Sequence, residues 1–501
     1  MSLTRGDLVH EVSPLRFPDL SSLSGEALLQ SASAYFSDAF TPNLRLGVTG
    51  LSRSGKTVFI TALIRNLVTG GRLPFFEAMA ERRITAAHLQ PQPDDAVPRF
   101  DYEAHIAALS SAPPNWPDGT RHISELRVSI DFAPETALRR AIGVPRLNVD
   151  IVDYPGEWLI DLGMLDQNYA AWSAEAMHLA REPLRAAAAA PWLAHVTGID
   201  ASRAEDEQTA ITGARSFTAY LHAARGSRGG TSTLSPGRFL MPGDLSGSPL
   251  LTFFPLDLAS GTTLKRGSLG AMMERRFESY KSHVVRPFFR DHFSRLDRQI
   301  VLVDVLAALN EGPAAVADLQ RALEAALRAF RPGANSFLSL LMGRRIDKLL
   351  FAATKADHLH HTSHDRLEGI LRLITDRAIA RATTAGADVG VMALAALRAT
   401  REAEVKHGGE RLPCIAGTPL PGERIDGRTF DGIKEAAIFP GDLPADPRIA
   451  LEQVGQTLGD AAFVRFRPAR VQPAGATGET PPLPHIRLDR AMQFLLGDRL
   501  A

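Results

Sequence analysis

Eight consecutive residues, Gly50-Leu51-Ser52-Arg53-Ser54-Gly55-Lys56-Thr57, carry the pattern G-x-x-x-x-G-K-T. Between a strand and a helix, such a run is suited to binding a nucleoside polyphosphate. Glycines let successive backbone N–H groups wrap phosphate oxygens, and the helix N-terminus adds its dipole. The lysine reaches the β and γ phosphates, and the hydroxyl after it holds Mg2+. The flanks fit: Leu44 to Thr49 is an apolar run of strand length, and Val58 to Leu67 is an apolar helical stretch ending near Gly70-Gly71. Ser52, Arg53, Ser54, Gly55, Lys56, Thr57 and Val58 are therefore the candidate phosphate contacts, with Lys56 also a candidate catalytic group.

A metal site needs a carboxylate opposite this loop. Ser124 to Phe132 and Arg146 to Asp153 are strand-like, and the second ends in Asp153-Tyr154-Pro155-Gly156, a D-x-x-G. In G proteins this aspartate holds Mg2+ through water, and the glycine N–H touches the γ-phosphate. Asp304, after the apolar run Ile300 to Val303, is the rival carboxylate. The strand pair before Asp153 favours Asp153 and leaves Asp304 as a strand-end or helix-capping residue. Thr57, Asp153 and Thr120, just ahead of the strand that starts at Ser124, form the expected Mg2+ set.

Base selection has its own pattern. Ile346 to Ala353 is a strand, followed by Thr354-Lys355-Ala356-Asp357, a T-K-x-D variant of the guanine-reading motif. Guanine shows N1–H and N2–H2 as adjacent donors, so its reader must accept only, as a carboxylate does. Asp357 would select GTP, and Lys355 would lay its methylene stem along the base. Further on, Arg398-Ala399-Thr400 stands where G proteins place a loop whose backbone N–H meets guanine O6.

Strands beginning near 44, 124, 146, 299, 346 and 391 alternate with helices after 57, 314 and 363. That order predicts an α/β, P-loop NTPase fold like a G domain, a mostly parallel sheet with one antiparallel edge. Ligands then lie at the carboxyl ends of the strands. The expected organisation is an N-terminal helical extension over 1–43, a first part of the nucleotide domain over 44–156, and a mainly helical insertion over 157–298. The second part of that domain spans 299–400, and a β-rich appendage with a terminal helix covers 401–501.

Composition narrows the function classes. Lys plus Arg and Asp plus Glu both number 56, so no global positive charge favours a nucleic-acid partner. A single cysteine, Cys414, excludes an internal disulfide and suits a reducing compartment. No apolar run reaches membrane-spanning length, and Met1 to Pro14 lacks the core of a secretory leader, so a cytoplasmic protein is expected.

With Asp297 to Leu306, Phe351 to His358 and Gly50 to Thr57 in view, the chain resembles the YcjX-like family of bacterial P-loop proteins over nearly its whole length. The resemblance implies a stress-linked NTPase, labelled both ATPase and GTPase, commonly working beside an inner-membrane protein partner. The residues themselves argue for guanine. Two features depart from small G proteins. Glu157 follows the D-x-x-G where Ras-like proteins carry a water-orienting glutamine. Arg53 makes the loop similar to that of guanylate-binding proteins and atlastins, whose matching arginine acts as a finger in cis. Arg53 and Glu157 are thus candidate catalytic residues beside Lys56.

Three further segments invite a chemical reading. His358, His360, His361 and His364 crowd after the base motif, but without neighbouring carboxylates or thiols in sequence they fit a solvated loop better than a metal site. Phe288, Phe289 and Phe293 lie among basic residues, consistent with a core-facing stripe broken at Pro287 rather than a membrane face. Leu412 to Ala416 and Ala462 to Phe466 look like strands of the appendage, and Arg487 to Leu500 like an amphipathic helix. The leading expectation is a GTP-hydrolysing switch that binds GTP/GDP and Mg2+. The alternatives are a nucleotide sensor with little turnover and an ATP-dependent P-loop enzyme.

Overall fold

The apolar run after Pro42 forms β1 (Asn43–Gly50), which pairs in parallel with β4 (Arg146–Asp153) on one side and β5 (Arg298–Val303) on the other. Beyond β5 lie β6 (Lys348–Ala353) and β7 (Asp388–Ala393), and beyond β4 lie β3 (Ser124–Phe132) and β2 (Ile84–Gln90). The sheet therefore runs β2-β3-β4-β1-β5-β6-β7, with antiparallel pairing only at β2–β3 and β3–β4. The computed structural model describes residues 41–51, 53–120, 122–135, 146–226, 232–259, 261–326, 346–407, 409–425, 427–452, 463–470 and 481–501. Residues 1–40 of the expected N-terminal helical extension and the phosphate contact expected of Ser52 lie outside them.

Helices cover both faces. The main ones are α1 (Lys56–Val68), α2 (Tyr102–Ser110), α3 (Tyr169–Arg181), α4 (Pro183–Val196), α5 (Glu207–Gly226) and α6 (Leu269–Tyr280). They are followed by α7 (Val305–Glu311), α8 (Pro313–Ala326), α9 (His364–Thr384) and α10 (Leu488–Leu496). Alternate strand residues divide the core, as a twofold side-chain period demands. Leu46, Val48, Ile300 and Leu302 join α1 and α10 on one face. Val301, Val303, Phe351 and Ala353 join α8 and α9 on the other. Burial on both faces explains why β5 and β6 end in continuous apolar runs.

The sheet departs from expectation at one edge. β2 lies outside β3, so the antiparallel flank is two strands wide. Its sequence, Ile-Thr-Ala-Ala-His-Leu-Gln, is half exposed and has few large apolar residues, so it carries no strong strand pattern. β7 starts earlier and ends earlier than the expected Val391 to Leu397 run, and Ala395 keeps only an isolated bridge to Ile486.

The insertion is helical through α3 to α6 and shares the core of the β5 and β6 face. Aromatic rings fill it, with Trp172 stacked on Phe277 at 5.1 Å and Trp192 on Tyr220 at 5.1 Å. Phe288, Phe289 and Phe293 are buried in that same core. Pro287 does not break the chain there, because a π-helical turn, Lys281–Val285, leads into the helix Arg286–Asp291 and places the proline in its first turn.

The appendage is a hairpin of β8 (Arg401–His407) and β9 (Glu410–Gly417), with Ala436–Ile438 added along β9. Ala462 lies outside the described residues, and the rest of its run is extended but contributes only a bridge between Phe466 and Pro419. The terminal helix packs on the main sheet, and Arg298 at the start of β5, fully buried, holds it there by an ion pair to Asp498 at 2.6 Å. Burial would raise the Asp498 carboxyl, but Arg298 and Lys348 hold it down at about 2. We therefore expect Asp498→Ala to lower unfolding free energy by about 1–2 kcal/mol, a figure reduced because Asp498 is half exposed and Asp347 still pairs with Arg298. Urea unfolding measures it. The difference should be complete above pH 4 and vanish as pH falls towards 2, since a carboxyl held low stabilises only while ionised.

Candidate functional site

The expected phosphate loop turns where β1 ends. Gly55 takes φ 89° and caps α1, a left-handed conformation that glycine adopts without strain. Arg53 takes φ 64°, which costs a side-chain-bearing residue about 1 kcal/mol and holds the guanidinium exposed at the loop's rim. Lys56 is buried and its Nζ donates to the Gly50 carbonyl at 3.2 Å. Ser54 is buried with its hydroxyl unpartnered among protein groups, and Val58 lies half-buried in the first turn of α1.

The residues of the expected Mg2+ set are each engaged with protein oxygens beside the loop. Thr57 Oγ1 donates to the Asp118 carbonyl at 3.3 Å, and Thr120 Oγ1 donates to Asp153 Oδ2 at 2.5 Å. Asp153 ends β4 opposite Val48 of β1, and its Oδ1 is buried without a protein partner. Burial pushes the Asp153 carboxyl up, opposed by the Lys56 charge and the Thr120 hydrogen bond. Hydroxyl and carboxylate oxygens with one orphaned buried lone pair fit a hard cation such as Mg2+. Gly156 lies against the loop so closely that a Cβ there would sit 2.1 Å from the Gly50 carbonyl oxygen. Glu157, the next residue, is buried and pairs with Arg225 of α5 at 2.8 Å.

The residues expected to read a base stand at the end of β6. Thr354 donates its N–H to the Val303 carbonyl at 2.9 Å, which ties the turn to β5. Lys355 adopts φ 61° and its ammonium pairs with Asp304, which also caps α7 by accepting the Ala307 N–H at 3.1 Å. Asp357 is buried, and its Oδ2 accepts the Ala399 N–H at 2.7 Å. That N–H, expected on guanine O6, thus holds the carboxylate instead. The Arg398 backbone N–H is likewise engaged, with the Pro484 carbonyl at 2.8 Å. Of the four histidines, His358 is buried against Phe466 and His364 bonds the Ala356 carbonyl at 2.8 Å.

A cleft of about 690 Å3 runs along the loop, lined by Arg53, Ser54, Glu157, Arg225, Asp304 and Lys355 among others. Its size suits a nucleotide-scale ligand. Lys56, Thr57, Asp153 and Asp357 do not line it, so the cleft borders the motif residues rather than enclosing all of them.

A family profile described as YcjX-like family, DUF463, matches residues 44–500. The chain belongs to the YcjX-like family. Among its relatives, a protein of Escherichia coli (strain K12) named Ras-like GTPase YcjX is 38% identical over 468 residues, covering 91% of this chain and 96% of that protein. One of the same name from Shewanella oneidensis (strain MR-1) is 35% identical over 489 residues, covering 91% and 95%.

Within this YcjX-like chain, sequence reasoning missed two partners of the motifs. Arg225 ends a long helix with no motif around it, and only its place in the folded insertion brings it to Glu157. Asp304 was recognisable as a cap, but its pairing with Lys355 depends on the neighbouring register of β5 and β6. The close approach of Gly156 is directly testable. Gly156→Ala must displace either the loop or the segment after Asp153, so we expect a loss of about 1–3 kcal/mol in urea unfolding. Triphosphate affinity measured by calorimetry should fall at least about tenfold with it.

Proposed function

We propose that this chain is a guanine-nucleotide-binding P-loop protein that hydrolyses GTP to GDP and phosphate with Mg2+. The observation that carries the reading is the arrival of the phosphate loop, Asp153 and Asp357 at the carboxyl ends of parallel strands of one sheet, β1, β4 and β6. The name Ras-like GTPase borne by both relatives supports it. Asp357, already oriented by Ala399, accepts from guanine N1–H and N2–H2, and Lys355 lays its methylene stem along the base. Backbone N–H groups of residues 53 to 57 cradle the phosphates, while Lys56 exchanges the Gly50 carbonyl for phosphate oxygens.

Thr57, Asp153 and Thr120 would hold Mg2+, which when bound neutralises charge on the β and γ phosphates. Charge also develops on the bridging oxygen as the γ-phosphate leaves. Arg53, exposed on the loop's rim, would meet that charge in cis, leaving water positioning to Glu157, backbone or the Thr120 segment. Gly156, seated on the Gly50 carbonyl, would report loss of the γ-phosphate to the insertion through Glu157.

A second reading, a sensor with little turnover, is favoured by the Glu157–Arg225 pair, which occupies the carboxylate that would orient water. An ATP-dependent enzyme is opposed by Asp357. The family resemblance extends the proposal to a stress-linked switch beside an inner-membrane partner. The proposed link runs through a protein contact; no helix among the described residues is long and apolar enough to cross a membrane.

Calorimetric titration with Mg2+ should rank GTP and GDP well above ATP, and Asp357→Asn should weaken GTP while improving xanthosine nucleotides. Tighter binding of ATP than GTP by the unmodified protein would sink the guanine reading. In phosphate-release assays, Arg53→Ala should cut turnover by about 10³ or more with little change in GTP affinity. Lys56→Ala should damage both. Unchanged turnover in Arg53→Ala at saturating GTP removes Arg53 from catalysis, and binding without any measurable hydrolysis by the unmodified protein selects the sensor.

A further inference from the structure

Two histidines of the turn after Asp357 are not absorbed by the core or by the nucleotide motifs. His360 and His361 lie against Glu402 of β8. His361 Nδ1 is 3.0 Å from Glu402 Oε2, and the His361 backbone N–H donates to Glu402 Oε1 at 3.2 Å. His360 Nε2 is 3.9 Å from the same Oε2, and the two imidazole rings are 4.2 Å apart between centroids. One ligand atom from each of the three residues falls within 4.8 Å of the other two.

This is a donor set of a particular kind. Two imidazole nitrogens and one carboxylate oxygen suit a borderline dication such as Zn2+, and suit Mg2+ or Ca2+ poorly. A tetrahedral ion with bonds of about 2.0–2.1 Å needs donors about 3.3 Å apart, so rotations of exposed side chains are enough to close the triad. His360 also has the support a metal-bound imidazole needs. Its Nδ1 lies 3.0 Å from Thr362 Oγ1, which fixes the ring and leaves Nε2 turned towards Glu402. The His361 side chain is 63% exposed and that of Glu402 is 38% exposed, so water can complete the shell.

We propose that His360, His361 and Glu402 bind one transition-metal dication of the Zn2+ class, with water filling the remaining positions. The ion ties the turn after Asp357 to the first strand of the C-terminal sheet. Its location gives it a consequence: Glu402 follows closely on Ala399 and Thr400, which donate to the Asp357 carboxylate and to the Asp357 backbone carbonyl. Clamping 360–361 to 402 restrains both walls of the pocket that holds Asp357. The metal site itself does not depend on which nucleotide Asp357 reads.

The test uses the full-length protein after chelator treatment, titrated calorimetrically with ZnCl2 in excess Mg2+ and without nucleotide, with CoCl2 as a spectroscopic probe. One equivalent of Zn2+ per chain should bind with micromolar or tighter affinity. Co2+ should give the visible bands of a four- or five-coordinate site. His361→Ala and Glu402→Gln should each weaken Zn2+ at least tenfold and abolish those bands, while His178→Ala, at an exposed position on the insertion, should change neither. Metal-free thermal melts matching the unmodified protein show that the variants are folded, and His360→Gln provides a second folded probe should either of them melt early. Absence of stoichiometric Zn2+ binding overturns the proposal. So does full affinity retained in folded variants, which would leave the cluster as a histidine–glutamate ion pair.

Discussion

The parallel register of β4, β1, β5 and β6 is the constraint from which the rest of the site follows. Val48 lies opposite Asp153, Gly50 opposite Leu302, and Leu302 opposite Ala352. A slip by one residue would turn Leu46 and Val48 out of one core and into the other, so packing on both faces specifies the register strongly. Because β1, β4, β5 and β6 end at nearly the same level, the groups just beyond their last residues become neighbours. The phosphate loop, Asp153, Asp304 and Thr354 are far apart in the chain and meet only through this alignment.

The charged groups at that edge have partners within the protein, save for one oxygen of Asp153. Asp153 is buried with Thr120 on one oxygen, Lys56 spends a donor on the Gly50 carbonyl, Lys355 pairs with Asp304, and Glu157 pairs with Arg225. Burying such groups without partners would cost several kcal/mol each. A phosphate ligand on the proposed reading therefore works by exchange: it takes over Lys56 and relieves the Asp153 lone pair through the cation. Exchange of partners, rather than creation of a charged pocket from nothing, keeps the binding edge folded while leaving its contacts responsive to the ligand.

How much of this was legible depended on whether the signal was local. The phosphate loop, Asp153 to Gly156 and Thr354 to Asp357 are short patterns at strand ends, and the strands before them have a strong strand pattern, so the α/β fold and its mostly parallel sheet were readable. β2 was not, because a half-exposed edge strand containing Thr85, His88 and Gln90 has no apolar face to betray it. Residues whose role is created by tertiary approach were equally hidden. Glu402 supplies the carboxylate that the histidine cluster lacks in sequence, and it does so from a hairpin that begins only after β7. The Ala399 N–H was read by position in the chain, whereas its partner is chosen by how the 398–400 loop closes over Asp357.

Later parts of the insertion grip its own first residues, 157–161, at several independent points. Arg225 pairs with Glu157, Arg238 stacks over Trp158 at 3.3 Å, and Asp161 accepts from the Gly237 N–H at 2.8 Å and the Tyr280 hydroxyl at 2.6 Å. Gly237 itself packs so tightly on the Glu157 carbonyl that a Cβ would come within 2.4 Å. At its other end the same segment rests on the phosphate loop through Gly156. A segment held this closely at both ends cannot move against one neighbour without loading the other, which is the physical requirement for coupling two sites. On the proposed reading the insertion is thus built into the part of the chain that responds to nucleotide, and what the phosphate loop binds and what the insertion touches share one mechanical element.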